Sequence, residues 1–266
     1  RGEDHIANTP KQILIYKALC WTVPIFAHLP MILGQDKKRL SKRHGATGVQ
    51  TYRDEGYQSE ALLNYLSLLG WNPGTEEEIM SLSKIIDQFD LLKVHKKSAV
   101  FDDKKLNWIS GQHLGMQANE DILIRIRLIK PNWGKTESND FCLSVINLMK
   151  GRSKSLLDLI ENSVYYFQDP TEFNEKVLRK TWKDDTSNIV ESVHSILDSM
   201  EIWNAELLED TLKDFMESNE LGFGKVMKPV RLAICGRVNG PSLFLIMELI
   251  GQSTCIRRIN KAIGTF

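Results

Sequence analysis

Apolar residues recur at helical spacing through the second half of the chain, and this pattern limits the folds available to it. From residue 117 onward they return every three or four positions along successive segments, which predicts helix after helix. Asp169-Pro170 and residues 222–224 (Gly-Phe-Gly) are the predicted breaks. No run of alternating strands and no internal repeat interrupts the pattern. Residues 117–266 are therefore predicted to form an all-α domain.

The segment before it, residues 48–116, is predicted to hold shorter helices. One begins at Ser59 and ends at Gly70, and a second covers residues 83–89. A third is capped by Asp102 or Asp103 and ends before Gly111. The side chains predicted to face the core of this segment are Ala61, Leu62, Tyr65, Leu66, Leu69, Ile85, Ile86, Phe89, Leu106, Trp108 and Ile109.

Residues 1–47 show a pattern of strands and a helix rather than successive helices. Residues 25–33 form a short continuous apolar run, which is typical of a buried parallel strand. Residues 1–5 are predicted to end another strand, and Thr9-Pro10 to begin a helix with a hydroxyl cap and a first-turn proline. This order predicts the last strand–helix–strand portion of a nucleotide-binding α/β domain.

A basic stretch follows the apolar run. Residues 36–45 contain five Lys/Arg and end in a glycine. Such a loop presents cations at the carboxyl end of a strand, where nucleotides sit in open α/β sheets, and lysines there suit phosphate. The alternative is a solvated run of charge.

The charge balance excludes one class of function. The chain of 266 residues has 34 basic and 34 acidic side chains, so a strongly basic, sequence-blind nucleic-acid binder is not expected. The charge is nevertheless segregated. Residues 221–247 contain no acid but include Lys225, Lys228, Arg231 and Arg237.

Cysteine and hydropathy patterns set further limits. The four cysteines include no CxxC pair, so no zinc or other metal site is expected in this chain. No apolar run reaches the roughly 18–20 residues of a membrane span. A cytoplasmic protein with reduced thiols and no membrane contact is the expectation.

Within the basic stretch, residues 39–43 read Arg-Leu-Ser-Lys-Arg. This sequence resembles the KMSKS signature of class I aminoacyl-tRNA synthetases, in the form typical of bacterial-type glutamyl-tRNA synthetases. Residues 1–10, 28–30 (His-Leu-Pro) and 42–45 are similar to the same family. Residues 60–71, 101–108, 224–233 and 240–251 extend the similarity along the chain.

The resemblance implies three regions and a reaction. Residues 1–47 would be the C-terminal part of a Rossmann-type α/β catalytic domain, 48–116 a helical stem-contact region, and 117–266 an all-α anticodon-binding domain, so that the chain is mostly α. The family condenses glutamate with ATP and Mg²⁺ to glutamyl-adenylate and then transfers the glutamyl group to tRNA(Glu). The resemblance also implies a monomer, and it leaves open whether tRNA(Gln) is a second partner.

The resemblance also implies roles for individual residues. Lys42 would stabilise the reacting phosphates, with Ser41, Arg39 and Arg43 assisting. Arg39 stands where the family has lysine, so its geometry differs. Arg1 would hold the glutamate carboxylate, and Asp4, Met31 and Ile32 would lie on the ATP side. Positions that contact the anticodon are matched by Arg231, Gly240, Pro241 and Leu243.

One departure from the family leaves two hypotheses open. The sequence contains no HIGH motif, so this chain by itself is expected to bind tRNA and to activate no amino acid. It is either the C-terminal portion of an aminoacyl-tRNA ligase or a non-catalytic tRNA-binding module derived from one. A glutaminyl-tRNA synthetase fits less well because its anticodon end is built from β-barrels.

Overall fold

A computed structural model describes residues 1–41 and 48–266, and the protein is mostly helical, as predicted. Fourteen α-helices lie in the described residues. They are α1 Thr9–Ala18, α2 Val49–Asp54, α3 Ser59–Leu68, α4 Leu82–Gln88, α5 Asp103–Met116, α6 Asn119–Ile129, α7 Asn139–Met149, α8 Leu156–Asn162, α9 Glu175–Thr181, α10 Thr186–Asp198, α11 Ala205–Ser218, α12 Phe223–Cys235, α13 Leu243–Ile250 and α14 Gln252–Ile263.

The strand predicted over residues 25–33 is wrong. In the described chain this segment takes part in β-pairing only through isolated bridges, in which Leu29 pairs with Gly2 and Leu33 with Arg39 and Val100. Ile25 is fully exposed. A buried parallel strand needs neighbours that pair its amides and carbonyls along its length, and the described residues supply them only at these points.

The predictions for the first residues are corrected in the same way. Glu3–His5 is a 3-10 helix rather than a strand end. Helix α1 does begin at Thr9 with proline in its first turn, but no side chain caps it. Thr9 Oγ1 lies 2.8 Å from His28 Nε2 instead and ties the helix start to the extended segment.

The chain divides into two compact units. Unit 1 comprises residues 1–117 and 150–158, and unit 2 comprises residues 118–149 and 159–266. Among the described residues, no helix combines the length and apolarity needed to cross a bilayer.

Unit 1 is organised around the packing of α3 on α5. The side chains buried between them and their neighbours include Leu62, Tyr65, Phe101, Leu106 and Ile109. Tyr65 also accepts a hydrogen bond of 2.7 Å from the amide of Asp102. Asp102 caps α5 as predicted, because its carboxylate accepts hydrogen bonds from the amides of Lys104 and Lys105.

Helix α5 continues past the predicted stop at Gly111 to Met116. An added Cβ at Gly111 would lie 3.3 Å from the Ser153 carbonyl oxygen, so the glycine permits close approach of the 150–158 segment. Four side chains predicted to be core are exposed, namely Leu66, Ile86, Phe89 and Trp108. Helical spacing identifies an apolar position but does not show that a neighbour covers it.

A buried polar pair joins the two main helices of unit 1. Asn64 Oδ1 accepts a hydrogen bond from the Met80 amide at 3.0 Å and lies 2.8 Å from His113 Nε2. Since Asn64 Oδ1 is an acceptor, the Nε2 of His113 must carry the proton. Burial lowers the pKa of His113, with a smaller opposing effect from Glu60.

Unit 2 ends in three consecutive helices whose boundaries follow from glycine. Gly236 adopts the left-handed conformation (φ 70°) and ends α12, and Gly251 (φ 82°) separates α13 from α14. Both stops agree with the sequence. Most of α12 and α13 is buried, which explains the high apolar content of residues 226–250.

Arg258 on α14 connects these helices to the chain that precedes α9. Its side chain is 4% exposed and its Nε lies 2.9 Å from Asp169 Oδ1. The Nη1 donates to the carbonyls of Tyr165 and Ile234 at 2.8 Å each, and Nη2 donates to that of Gln168 at 3.2 Å. The guanidinium thus binds the end of α12 and the 3-10 helix Val164–Tyr166 at once.

The buried histidine predicts a pH dependence of stability. Because the folded-state pKa of His113 lies below its usual value of about 6.5, the unfolded chain binds the additional proton as pH falls through that value. Unfolding of unit 1 is therefore expected at lower urea concentration at pH 5.5 than at pH 7.5. His113→Gln keeps a donor toward Asn64 and should reduce this difference, and an equal shift in both proteins would contradict the assignment.

Arg258 and its neighbour Arg257 form a matched pair for mutation. Both contact Asp169, but Arg257 is 57% exposed. Arg258→Met leaves buried carbonyls without donors and should cost about 3–5 kcal/mol of unfolding free energy. Arg257→Met should cost no more than about 1 kcal/mol. Equal losses in urea titrations of the two variants would show that Arg258 is not the anchor of unit 2.

Candidate functional site

The residues predicted on the ATP side gather around a bridge between the first residues of the chain and the His28–Pro30 segment. The Leu29 amide donates to the Arg1 carbonyl at 2.7 Å, and the Glu3 amide donates to the Leu29 carbonyl at 2.9 Å. The Glu3 carboxylate then accepts a hydrogen bond of 2.9 Å from the Met31 amide. These contacts hold Met31 beside the start of the chain.

Asp4 and Arg39 meet at the same place. Arg39 Nη2 lies 3.2 Å from Asp4 Oδ2, with the two side chains 66% and 34% exposed. A surface ion pair of this kind contributes about 0–1 kcal/mol, so Arg39 can leave Asp4 for a phosphate at little cost. An added Cβ at Gly2 would lie 2.5 Å from Asp4 Oδ1, and glycine there lets the carboxylate approach the backbone.

The backbone near Met31 retains groups suited to a base. The Leu40 amide donates a hydrogen bond to the Ile32 carbonyl at 2.9 Å, and the Met31 amide donates one to the Glu3 carboxylate. Among the described residues, the Met31 carbonyl and the Ile32 amide have no partner. These two groups belong to one trans peptide and point in opposite directions, so a base edge at this place can meet only one of them.

The remaining residues predicted on this side are not all brought together. The Arg1 guanidinium donates to Gln12 Oε1 on α1. Ser41 is partly buried and closes the described part of the basic stretch. Lys42 and Arg43 lie outside the described residues. No group of three or more His, Cys, Asp or Glu side chains suited to a metal ion occurs in the described part of the chain.

The predicted anticodon residues form one cluster at the junction of α12 and α13. Arg231 Nη2 donates to the Pro241 carbonyl at 2.7 Å. Arg231 Nη1 is buried, has no hydrogen-bond partner among the described residues, and lies 3.1 Å from where a Cβ on Gly240 would stand. Glycine at position 240 therefore lets the backbone close over the guanidinium.

The other two positions of this cluster are less accessible. Pro241 is buried, and Leu243 packs in the core at the first turn of α13. Only Gly240 is exposed at the surface, with Arg231 half-buried below it. A contact from Leu243 to a ligand would therefore have to be indirect or made through its backbone.

Sequence reasoning missed three side chains that surround this cluster, namely Asn162, Tyr165 and Tyr166. Helical spacing predicts one apolar stripe formed by Leu156, Leu157, Ile160, Val164 and Tyr165, but α8 ends at Asn162 and a 3-10 helix follows. This change of helix type leaves Val164 exposed and turns both tyrosines inward. The burial of Tyr165 agrees with the stripe, whereas its contact with Arg237 and the burial of Tyr166 were not predicted.

Arginine and tyrosine are in contact here. The Arg237 guanidinium carbon lies 5.5 Å from the centre of the Tyr165 ring, and Arg237 Nη1 donates to Asn162 Oδ1 at 2.6 Å. The Tyr165 hydroxyl lies 3.8 Å from the Cβ position of Gly240. Burial raises the pKa of Tyr165 to about 12, so its hydroxyl is neutral at physiological pH.

Two family models match the chain. Residues 1–108 match the catalytic domain of class I tRNA synthetases (E and Q), and residues 122–263 match an anticodon binding domain. The glutamate–tRNA ligase of Moorella thermoacetica is 42% identical over 98% of this chain and 55% of its own length. The glutamate–tRNA ligase 2 of Thermoanaerobacter pseudethanolicus is 39% identical over 99% of this chain and 56% of its own.

Solved structures give the same result. The crystal structure of a glutamate tRNA ligase from Elizabethkingia meningosepticum, in complex with its amino acid, matches with a TM-score of 0.78 at 35% identity, over 100% of this chain and 56% of that one. The glutamate-tRNA synthetase from Elizabethkingia anophelis matches with a TM-score of 0.75 at 34% identity, over 99% and 56% of the two chains. The present chain thus spans about half the length of the relatives it matches.

Proposed function

The chain belongs to the glutamate–tRNA ligase family of class I tRNA synthetases, and we propose from this premise that it serves ATP-dependent attachment of glutamate to tRNA(Glu). Glutamate would react with ATP to give glutamyl-adenylate and pyrophosphate. The glutamyl group would then pass to a hydroxyl of the terminal adenosine of the tRNA. We place this activity in the cytoplasm and expect the protein to act as a monomer.

The single observation that supports tRNA recognition most strongly is the unpartnered Nη1 of Arg231. A buried guanidinium N–H without an acceptor is costly, and an acceptor supplied by a bound RNA would remove that cost once the Gly240 backbone above it moves aside. The nitrogen lies directly below the exposed Gly240, which adds no side chain above it. We propose that Arg231, Gly240, Pro241 and Leu243 form the anticodon site within an anticodon-binding domain at 117–266.

On the ATP side, the described groups fit a magnesium nucleotide. The Met31–Ile32 peptide would meet the base through either its carbonyl or its amide, while Arg39 and Asp4 would lie near the phosphates and their metal ion. Magnesium bound to ATP would neutralise phosphate charge. We propose Arg1 for the glutamate carboxylate, and Ser41, Lys42 and Arg43 with Arg39 for the reacting phosphates. Residues 1–47 would then belong to the catalytic domain and residues 48–116 to a stem-contact region.

Lys42 provides a test of the catalytic part of the proposal. In a protein of the relatives' full length that contains this segment, Lys42→Ala should slow glutamyl-adenylate formation by about 10²–10³, because one charge-assisted contact made mainly in the transition state is lost. Its affinity for tRNA should change little. Pyrophosphate exchange measures the first quantity, and an unchanged rate would remove Lys42 from the catalytic residues.

Arg231 provides a test of tRNA recognition in this chain. If it reads a base edge, Arg231→Ala should cost about 1–3 kcal/mol in binding cognate tRNA and reduce discrimination against anticodon-swapped tRNA. Lys228→Ala, on the same helix but exposed, should leave discrimination unchanged. Binding curves with tRNA(Glu), tRNA(Gln) and an anticodon-swapped transcript, together with a melting curve, separate recognition from loss of fold.

The same experiment tests the competing hypotheses. A chain that binds all three RNAs equally would contradict anticodon recognition. Charging of both tRNA(Glu) and tRNA(Gln) by the full-length protein would identify an enzyme that accepts both. Binding without any pyrophosphate exchange at full length would favour the non-catalytic tRNA-binding module.

A further inference from the structure

We propose that Arg237, held by Asn162 and Tyr165, is a binding site for a phosphate of the RNA backbone beside the base-reading site at Arg231. This inference rests on the proposed tRNA recognition and adds a residue that contributes affinity without reading sequence. It assigns different tasks to two arginines that flank the same tyrosine.

The partners of the basic side chains in residues 221–247 distinguish Arg237 from the others. Lys225 is paired with Asp185, with Nζ 2.6 Å from Oδ2, so its charge is already compensated. Arg231 binds the carbonyl of Pro241. Arg237 contacts a neutral amide oxygen and the face of an aromatic ring, and among the described residues no carboxylate pairs with it. Its positive charge is therefore available to an anion.

Arg237 is also held in place before any ligand arrives. Its Nη1 is fixed on Asn162 at 2.6 Å, and its guanidinium lies 5.5 Å above a ring that is almost fully buried. Tyr165 in turn stacks on Tyr166 with ring centres 4.5 Å apart. Lys228 also lacks a carboxylate partner among the described residues, but its side chain is exposed on α12. An arginine held in this way loses less conformational entropy on binding a phosphate than a mobile basic side chain does.

The position of Arg237 favours a phosphate rather than a base edge. One hydrogen-bonding edge of its guanidinium is occupied by Asn162, and one face by Tyr165. The Tyr165 hydroxyl and the Arg231 Nη1 both lie within 4 Å of the Cβ position of Gly240, so Tyr165 connects the surroundings of the two arginines. A strand whose base lies over Gly240 would bring its own backbone past Arg237. Arginine contacts to phosphate set position and add affinity that depends on salt.

The test uses the whole 266-residue chain and a tRNA(Glu) transcript. Arg237→Gln should weaken binding about five- to tenfold near 0.1 M salt and reduce the slope of log K against log salt by about 0.7, the value per phosphate for a single strand. The loss should be the same for the anticodon-swapped transcript. Arg231→Ala should instead reduce discrimination, so the two substitutions have different signatures.

Two control variants exclude simpler explanations. Lys213→Gln removes the same charge from α11, where Lys213 pairs with Glu209 and neighbouring acids disfavour RNA. This substitution should change neither the affinity for tRNA nor the slope of log K against log salt. Arg237→Lys keeps the charge and should retain the salt slope of the unmutated chain. If Gln and Lys at position 237 both lower the melting temperature and weaken binding with the slope unchanged, Arg237 is only structural and the inference is overturned.

The remaining outcomes are equally decisive. Unchanged affinity and slope in Arg237→Gln, with discrimination still lost in Arg231→Ala, would overturn the phosphate site and leave the proposed function standing. Failure of the unmutated, folded chain to bind any of the transcripts would overturn both. A loss of affinity in Arg237→Gln confined to the cognate anticodon would show base reading and would also overturn the phosphate site.

Discussion

The guanidinium of Arg258 is the contact on which unit 2 depends. A charged group that is 96% buried is tolerated only when its donors are satisfied, and Arg258 meets this condition with Asp169 and three backbone carbonyls. Those carbonyls come from two different elements, the end of α12 and the segment around the 3-10 helix Val164–Tyr166. One side chain on α14 therefore sets the distance between the two elements that build the candidate anticodon site.

That arrangement explains how the candidate site obtains its charge. The Tyr165 carbonyl is held by Arg258, and the ring of the same residue supports Arg237. The buried Arg258 has a carboxylate partner, whereas the partly buried Arg231 and Arg237 have a carbonyl, an amide and a ring as partners. Acids are absent from residues 221–247, and Asp185 pairs with Lys225. Among the described residues, the fold thus pairs the buried Arg258 with a carboxylate and leaves Arg231 and Arg237 without one.

The helical part of the fold could be predicted from sequence because the signals for it are local. Apolar spacing predicted successive helices from residue 117 onward, and the pair Asp102-Asp103 located the start of α5. The strand at residues 25–33 could not be predicted, since a strand is completed by partners distant in sequence and the described chain supplies them only at single residues. The exposure of Leu66, Ile86, Phe89 and Trp108 was missed for a related reason, because spacing does not show what covers a face.

The sequence by itself determined the family and the mostly helical class and predicted residues for both candidate sites, because motif order and periodicity are properties of the chain alone. Only the tertiary structure decided the environment of each residue. It placed Arg231 below Gly240, buried Leu243, paired Arg39 with Asp4, and brought Asn162 and Tyr165 to Arg237 across 75 and 72 positions of sequence. Whether a guanidinium keeps its charge for a ligand depends on such distant neighbours, and these are set by packing rather than by local pattern.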